Sequence, residues 1–98
     1  MIINVFFEDE DIADIISIPD SLKDVSLLQE KFFQWLFNKN IEHDYWVTIN
    51  GEKIYCSYGT KAFVDWLNEN ILECDNRKAQ IIESNSKDFS KDDYALYF

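Results

Sequence analysis

Glycine, proline and histidine are scarce in this 98-residue chain, which has two glycines, one proline and one histidine. So few chain-breaking residues, beside 16% aromatic residues, exclude a linker and argue against a disordered segment. The length is sufficient for a core without disulfide or metal support, which becomes usual only below about 40 residues. We therefore predict a single acidic domain over residues 1–98.

Residues for a catalytic or metal site are also lacking. Cys56 and Cys74 form no CxxC pair, and His43 is the only histidine. This set cannot complete a tetrahedral zinc site, and no third residue is evident to orient an imidazole beside a thiol. The acidic run Glu8–Asp11 lacks the glycine and the distal glutamate of an EF-hand, and no glycine-rich phosphate loop or GxSxG motif occurs. We predict no enzyme activity, no metal and no cofactor, with Cys56 buried in packing and His43 in an exposed loop.

Long apolar runs are missing as well. No stretch approaches the roughly 18 apolar residues that a membrane span needs, and no basic and apolar leader opens the chain. A cytoplasmic protein with reduced thiols is the prediction.

Positive charge is in short supply, since nine Lys and Arg oppose 19 Asp and Glu for a net charge of −10. This field repels phosphate backbones and anionic headgroups, which argues against direct binding of nucleic acid or a membrane. It attracts a cationic protein and speeds its encounter. Solubility alone accounts for such acidity equally well, so the charge narrows the class of partner without identifying it.

The apolar pattern predicts the order of the secondary-structure elements. A strand is expected at residues 2–7 and a short helical piece at 8–16, followed by helices at about 27–39 and 61–72. Ser26 and Gln29 have the spacing of a capping box for the first long helix, and Thr60 can cap the second. A strand at 78–84 and an optional last strand at 94–98 complete the chain.

The strongest local signal is Asn50-Gly51 between two β-rich runs, which predicts a type I′ hairpin. The turn sets a register in which Trp46 lies opposite Tyr55 on one face. The resulting order predicts an α+β fold, a two-layer structure with a mostly antiparallel sheet and helices on one face. Its β-α-β-β-α-β order, with an optional extra C-terminal strand, is that of the ferredoxin-like arrangement.

Two surfaces could bind a partner. Residues 1–22 hold six carboxylates and no Lys or Arg, although a solvated helix N-terminus would look the same. The outer hairpin face offers an aromatic pair, unless the C-terminal segment covers it. The sequence does not decide between the two surfaces. The predicted partner-binding residues are Glu8, Asp9, Glu10, Asp11, Asp14, Trp46 and Tyr55.

Size, charge and surface chemistry predict a protein-binding inhibitor. Its most concrete form is a bacterial immunity protein that neutralises a basic, nuclease-type toxin by occluding the active site. One alternative is a phosphate-mimicking inhibitor of a nucleic-acid-binding protein, but a mimic needs acids along a stripe, whereas these cluster at one end. The other alternative is a structural or assembly subunit that forms a homodimer through an edge strand or an open sheet face.

Overall fold

The computed structural model describes residues 1–98 as an α+β fold with two helical segments, a four-stranded sheet and a separate two-stranded sheet. The four-stranded sheet has the order β5-β2-β1-β6, and β3 pairs with β4. Only β1 and β6 are parallel; the other three strand pairs are antiparallel. In chain order the elements are β1 Ile2–Phe6, β2 Ala13–Ser17, α1 Val25–Leu36, β3 Trp46–Ile49, β4 Glu52–Cys56, α2 Thr60–Trp66 with a π-helical continuation over Leu67–Ile71, β5 Gln80–Ser86 and β6 Tyr94–Tyr97.

The hydrophobic core lies between the helices and one face of the four-stranded sheet. Ile3, Val5 and Ile16 contribute from the two central strands, and they join one buried cluster with α1 and α2. Phe32 of α1 is fully buried, and its ring contacts the ring of Phe63 on α2 edge-on, at 5.3 Å between centroids. Aromatic burial of this extent supplies much of the apolar area that holds a domain of this size together.

The opposite face of the sheet, here called the outer face, is crossed by the connection between β5 and β6. These strands lie at opposite edges of the sheet, so residues 87–93 must pass over one face to join them. Side chains alternate along a strand, which places Asn4 and Phe6 on the face away from the core. Asn4 Nδ2 donates to the carbonyl of Ser90 at 2.7 Å, and the rings of Phe6 and Phe89 meet edge-on at 5.1 Å. The connection therefore covers the part of the outer face around Asn4 and Phe6.

The predicted helical piece at residues 8–16 is wrong, because Ala13–Ser17 forms β2 at the centre of the sheet. The spacing of its isoleucines fits a helix, but hydrogen bonding to β1 and β5 on both sides determines the outcome. The extra strand and the separate hairpin give the order β-β-α-β-β-α-β-β, so the ferredoxin-like order is not confirmed. The α+β class and the C-terminal strand are confirmed.

The capping box predicted for α1 is wrong. The helix begins at Val25, and its N-cap is Asp24, whose carboxylate accepts from the Leu27 amide at 3.1 Å. Ser26 and Gln29 instead bond to the last strand: the Ser26 hydroxyl meets the Tyr94 hydroxyl at 2.7 Å, and Gln29 Nε2 donates to a β6 carbonyl. These contacts fasten α1 to β6.

The type I′ turn is confirmed by positive φ at both Asn50 and Gly51, at 54° and 82°. Next to the turn, Thr48 lies opposite Lys53, in the register that a two-residue turn sets. A bulge then shifts the register by one residue, so Val47 is opposite Tyr55 and Trp46 is opposite Cys56. The predicted pairing of Trp46 with Tyr55 is therefore wrong.

His43 lies in the loop before β3, as predicted, but it is not exposed. The imidazole is half-buried and stacks on Trp46, with the rings 5.2 Å apart and 9° from parallel. Its Nδ1 accepts from the Tyr45 amide at 3.2 Å, which leaves Nε2 to donate to the carbonyl of Leu36 at 2.9 Å. His43 thus joins the base of the hairpin to the end of α1. Neither helical segment is long and apolar enough to cross a membrane.

Candidate functional site

The acidic residues at the start of the chain form an exposed turn, Glu8–Asp11, between β1 and β2. We call this segment the acidic turn. Asp9 organises it, because its Oδ1 accepts from the Asp11 amide at 2.8 Å and its carbonyl accepts from the Ile12 amide at 3.4 Å. The side chains of Glu8, Glu10 and Asp11 form no ion pair within the protein. Their charge is available to a partner.

Asp14 is engaged inside the protein. One carboxylate oxygen accepts from the Thr60 hydroxyl at the start of α2, and the other accepts from the Asn85 amide of β5 at 2.9 Å. The side chain is half-buried and connects three elements. Asp14 therefore holds the fold beneath the acidic turn, and its capacity for a partner is largely used.

A cavity opens on the helix side of the acidic turn, with a volume of about 390 Å³. We call it the inner cavity. Phe7 and Tyr58 supply aromatic walls, and their rings meet at 5.8 Å. Glu8, Asp9 and Asp14 supply the carboxylates. Three of the predicted site residues are brought together here.

A second cavity, also about 390 Å³, opens on the outer face; we call it the outer cavity. Its aromatic part consists of three rings: Phe6 stacks on Tyr97, at 5.0 Å between centroids, and meets Phe89 edge-on at 5.1 Å. Glu10 and Asp11 of the acidic turn line one side. The full lining is Asn4, Phe6, Glu10, Asp11, Phe89, Lys91, Asp93, Ala95 and Tyr97.

The acidic turn is thus shared between two cavities with aromatic walls, one on each face of the sheet. The sequence did not indicate four residues that line the outer cavity, Asn4, Phe89, Asp93 and Tyr97. They come together only through the pairing of β1 with β6 and the crossing of the connection over the sheet. The single signal for them was the alternation in β1, where polar Asn4 stands between apolar neighbours. Tyr97 is 60% exposed, which the sequence pattern alone did not indicate.

The two hairpin residues predicted to bind, Trp46 and Tyr55, are distant from the acidic turn in the sequence. They lie on different faces of the hairpin. Trp46 is half-buried, and its Nε1 donates to the Ile41 carbonyl at 2.9 Å, so it stabilises the loop before β3. Tyr55 is 54% exposed, next to exposed Ile54. Of the predicted pair, only Tyr55 presents most of its ring to solvent.

The thiol and the imidazole are placed as structural donors. The Sγ of Cys56 donates to the Leu36 carbonyl at 3.3 Å, the same oxygen that receives His43 Nε2. Burial raises the pKa of the Cys56 thiol, which keeps it protonated. Both the thiol and the imidazole donate to the same carbonyl, so they do not hydrogen-bond to each other. A catalytic cysteine and its histidine base would form such a bond. No group of three or more His, Cys, Asp or Glu side chains is positioned to hold a metal ion.

The fold and site define a small acidic α+β protein with a carboxylate-rich turn between two aromatic cavities. Comparison with protein-family models, with curated proteins and with solved structures gave no match.

Proposed function

We propose that this protein is an inhibitor that binds a basic protein through the acidic turn and the aromatic walls on either side of it. The observation that carries the proposal is the placement of Glu8, Glu10 and Asp11, which are exposed, lack internal ion pairs and stand beside exposed ring surface. Interfaces are anchored by amphipathic aromatic side chains, and charge sets the encounter rate and the choice of partner.

The net charge of −10 supports a cationic partner over other classes. An acidic surface is repelled by nucleic acid and by anionic lipid, but it complements the basic cleft of an enzyme that acts on nucleic acid. The particular form that we propose is an immunity-type protein that covers the active site of a nuclease toxin. A cytoplasmic location fits this role and is supported by two free thiols.

The experiment is affinity capture from native lysate with the wild-type chain and two matched variants. The turn variant carries Glu8→Gln, Asp9→Asn, Glu10→Gln and Asp11→Asn; the amides preserve size, and the new side-chain oxygen at position 9 can still accept from the backbone amide at position 11. The control variant removes four exposed carboxylates elsewhere, with Glu30→Gln, Asp44→Asn, Glu69→Gln and Glu73→Gln. Both lose the same amount of negative charge.

The wild type and the control should capture the same basic protein, and the turn variant should bind it at least about tenfold more weakly. Its association rate should fall as salt rises, and a captured nuclease should lose activity when the wild-type chain is added. Equal binding by the two variants, or an association rate that ignores ionic strength, would contradict a site at the acidic turn.

One observation favours self-association as a second function. β5 is an edge strand of seven residues, with no Lys or Pro within it, and Ile82 is 57% exposed. Such an edge is open to pairing with another strand. Sedimentation at low and high concentration tests this: a dimer that Ile82→Lys disrupts would support it, and a monomer throughout would remove it.

A further inference from the structure

The outer cavity contains a polar group that the fold leaves incomplete. Asn4 is 1% exposed, and its Nδ2 is bonded to the Ser90 carbonyl. Its Oδ1 is the only buried side-chain oxygen or nitrogen in the protein without a hydrogen-bond partner. A buried acceptor left unpaired is costly, and native proteins retain few of them. Asn4 belongs to the lining of the outer cavity, which places this buried, unpaired acceptor next to the space that a donor from outside the chain would enter.

The walls beside Asn4 suit a flat, apolar-faced group. Phe6 contacts both other rings, with Tyr97 stacked on it and Phe89 edge-on, and Tyr97 is the most exposed of the large hydrophobic side chains. Rings of this kind attract cations over their faces, and they prefer guanidinium because it is planar and weakly hydrated.

The ionisable groups of the lining favour a cation. Three carboxylates, Glu10, Asp11 and Asp93, outnumber a single lysine, Lys91. None of the four forms an ion pair within the protein. The volume of about 390 Å³ lies at the small end of ligand pockets, which run from about 300 to 1,000 Å³. That is room for one side chain rather than for a large cofactor.

We propose that the outer cavity receives the guanidinium of an arginine side chain from the basic partner. Guanidinium has five donors in a planar fork, so it can donate to Asn4 Oδ1, bind the carboxylates of the acidic turn and stack on a ring at the same time. Lysine has the charge but lacks the plane. The inference rests on the proposed function for the source of the arginine, whereas the chemistry of the site stands independently.

The test uses a small probe, N-acetyl-arginine methylamide, titrated into the isotope-labelled protein and followed by NMR. The matched probe is N-acetyl-citrulline methylamide, which has nearly the same shape and no charge. The arginine probe should bind saturably with a Kd on the order of 1 mM. Its shifts should centre on the Asn4 side-chain amide and on residues 89–97, and the citrulline probe should bind about tenfold more weakly.

Variants separate the contributions. Asn4→Ala removes the acceptor without filling the cavity, and Asp11→Asn with Asp93→Asn removes carboxylates but preserves size; each should weaken the arginine probe about tenfold. Asp44→Asn with Glu69→Gln removes equal charge elsewhere and should leave binding within about twofold. Lys91→Met should strengthen binding, because it removes the competing cation.

Unchanged binding in Asn4→Ala would overturn the inference, since the free acceptor would then serve water only. Equal binding of the citrulline probe, or equal loss in the charge control, would also overturn it. If the partner binds in a capture experiment while the arginine probe does not, the outer cavity is not the anchor but the proposed function stands. If the probe binds and does not compete with a captured partner, the site exists and its link to that partner is wrong.

Discussion

Replacing Asn4 with leucine should make the protein more stable, although Asn4 is almost completely buried. Asn4→Leu removes the unpaired Oδ1, and a buried polar atom without a partner costs about 1–3 kcal/mol. It also removes the bond from Nδ2 to the Ser90 carbonyl, a contribution of about 0.5–1.5 kcal/mol. Because Ser90 is exposed, its carbonyl can accept from water instead. The larger side chain has room in the outer cavity, whose lining includes Asn4.

The balance is a gain of about 1 kcal/mol in the free energy of unfolding, with apolar burial by leucine adding to it. For a domain of this size, that corresponds to a rise of about 4–8 °C in Tm. Urea denaturation checks it through a higher midpoint at an unchanged slope. Asn4→Ala is the comparison, because it removes the same polar atoms without adding apolar contact; its stability should lie below that of Asn4→Leu.

A loss of about 1 kcal/mol or more in Asn4→Leu would refute this reasoning. Asn4 would then be the anchor that holds residues 87–93 over the sheet, and the bond to Ser90 would outweigh the unpaired oxygen. A gain in stability, combined with weaker binding of the arginine probe by Asn4→Ala, is what a residue retained for binding at a cost in stability should show.

Four further experiments test the fold. Phe32→Ala should cost about 3–5 kcal/mol in urea denaturation, because a fully buried ring at the meeting point of both helices leaves a cavity; a cost below about 1 kcal/mol would mean that the core collapses around it. Gly51→Ala should cost about 1 kcal/mol from backbone strain alone, since its φ is +82° and no atom lies within 4 Å of an added Cβ; a neutral result would mean that the turn changes type. Towards a thiol reagent at neutral pH, exposed Cys74 should react fast and Cys56 slowly, because burial raises the pKa of the Cys56 thiol above its ordinary value of 9.0. Because the pKa of Cys56 is raised in the folded state, its contribution to the free energy of unfolding is complete below pH 9.0 and is lost as pH rises through the folded pKa. Cys56→Ala should therefore reduce the loss of stability at high pH. An unchanged loss would assign it to Tyr45 or Tyr58, whose pKa values are also raised by burial.

Elements built from short-range interactions were predictable from the sequence. The Asn50-Gly51 turn follows from the φ values that these residues tolerate. The helical spacing of Leu28, Phe32 and Leu36 in the sequence accounts for their burial on one side of α1. The exposure of the acidic turn could be expected in the same way, because a run of four carboxylates cannot be desolvated without partners.

Where the sequence prediction failed, contacts distant in sequence outweighed local patterns. Ser26 and Gln29 have the spacing of a capping box, but their side chains bond to β6 instead. Ser26 bonds to the Tyr94 hydroxyl and Gln29 to the Tyr97 carbonyl, each 68 residues away. One bulge in the hairpin shifts the register by one residue, so Trp46 and Tyr55 lie on different faces of the hairpin. The contacts of α1 have no local signal, because they depend on β6 coming to lie beside the helix.

By itself, the sequence determined an acidic α+β domain with an exposed run of carboxylates and a hairpin turn, since charge, aromatic content and turn residues act locally. Only the tertiary structure decided that Asn4 would be buried beneath a segment 86 residues further along the chain, with one oxygen unpaired beside rings and carboxylates. A connection between strands at opposite edges must cross the sheet, and that crossing, which no single segment encodes, creates the outer cavity.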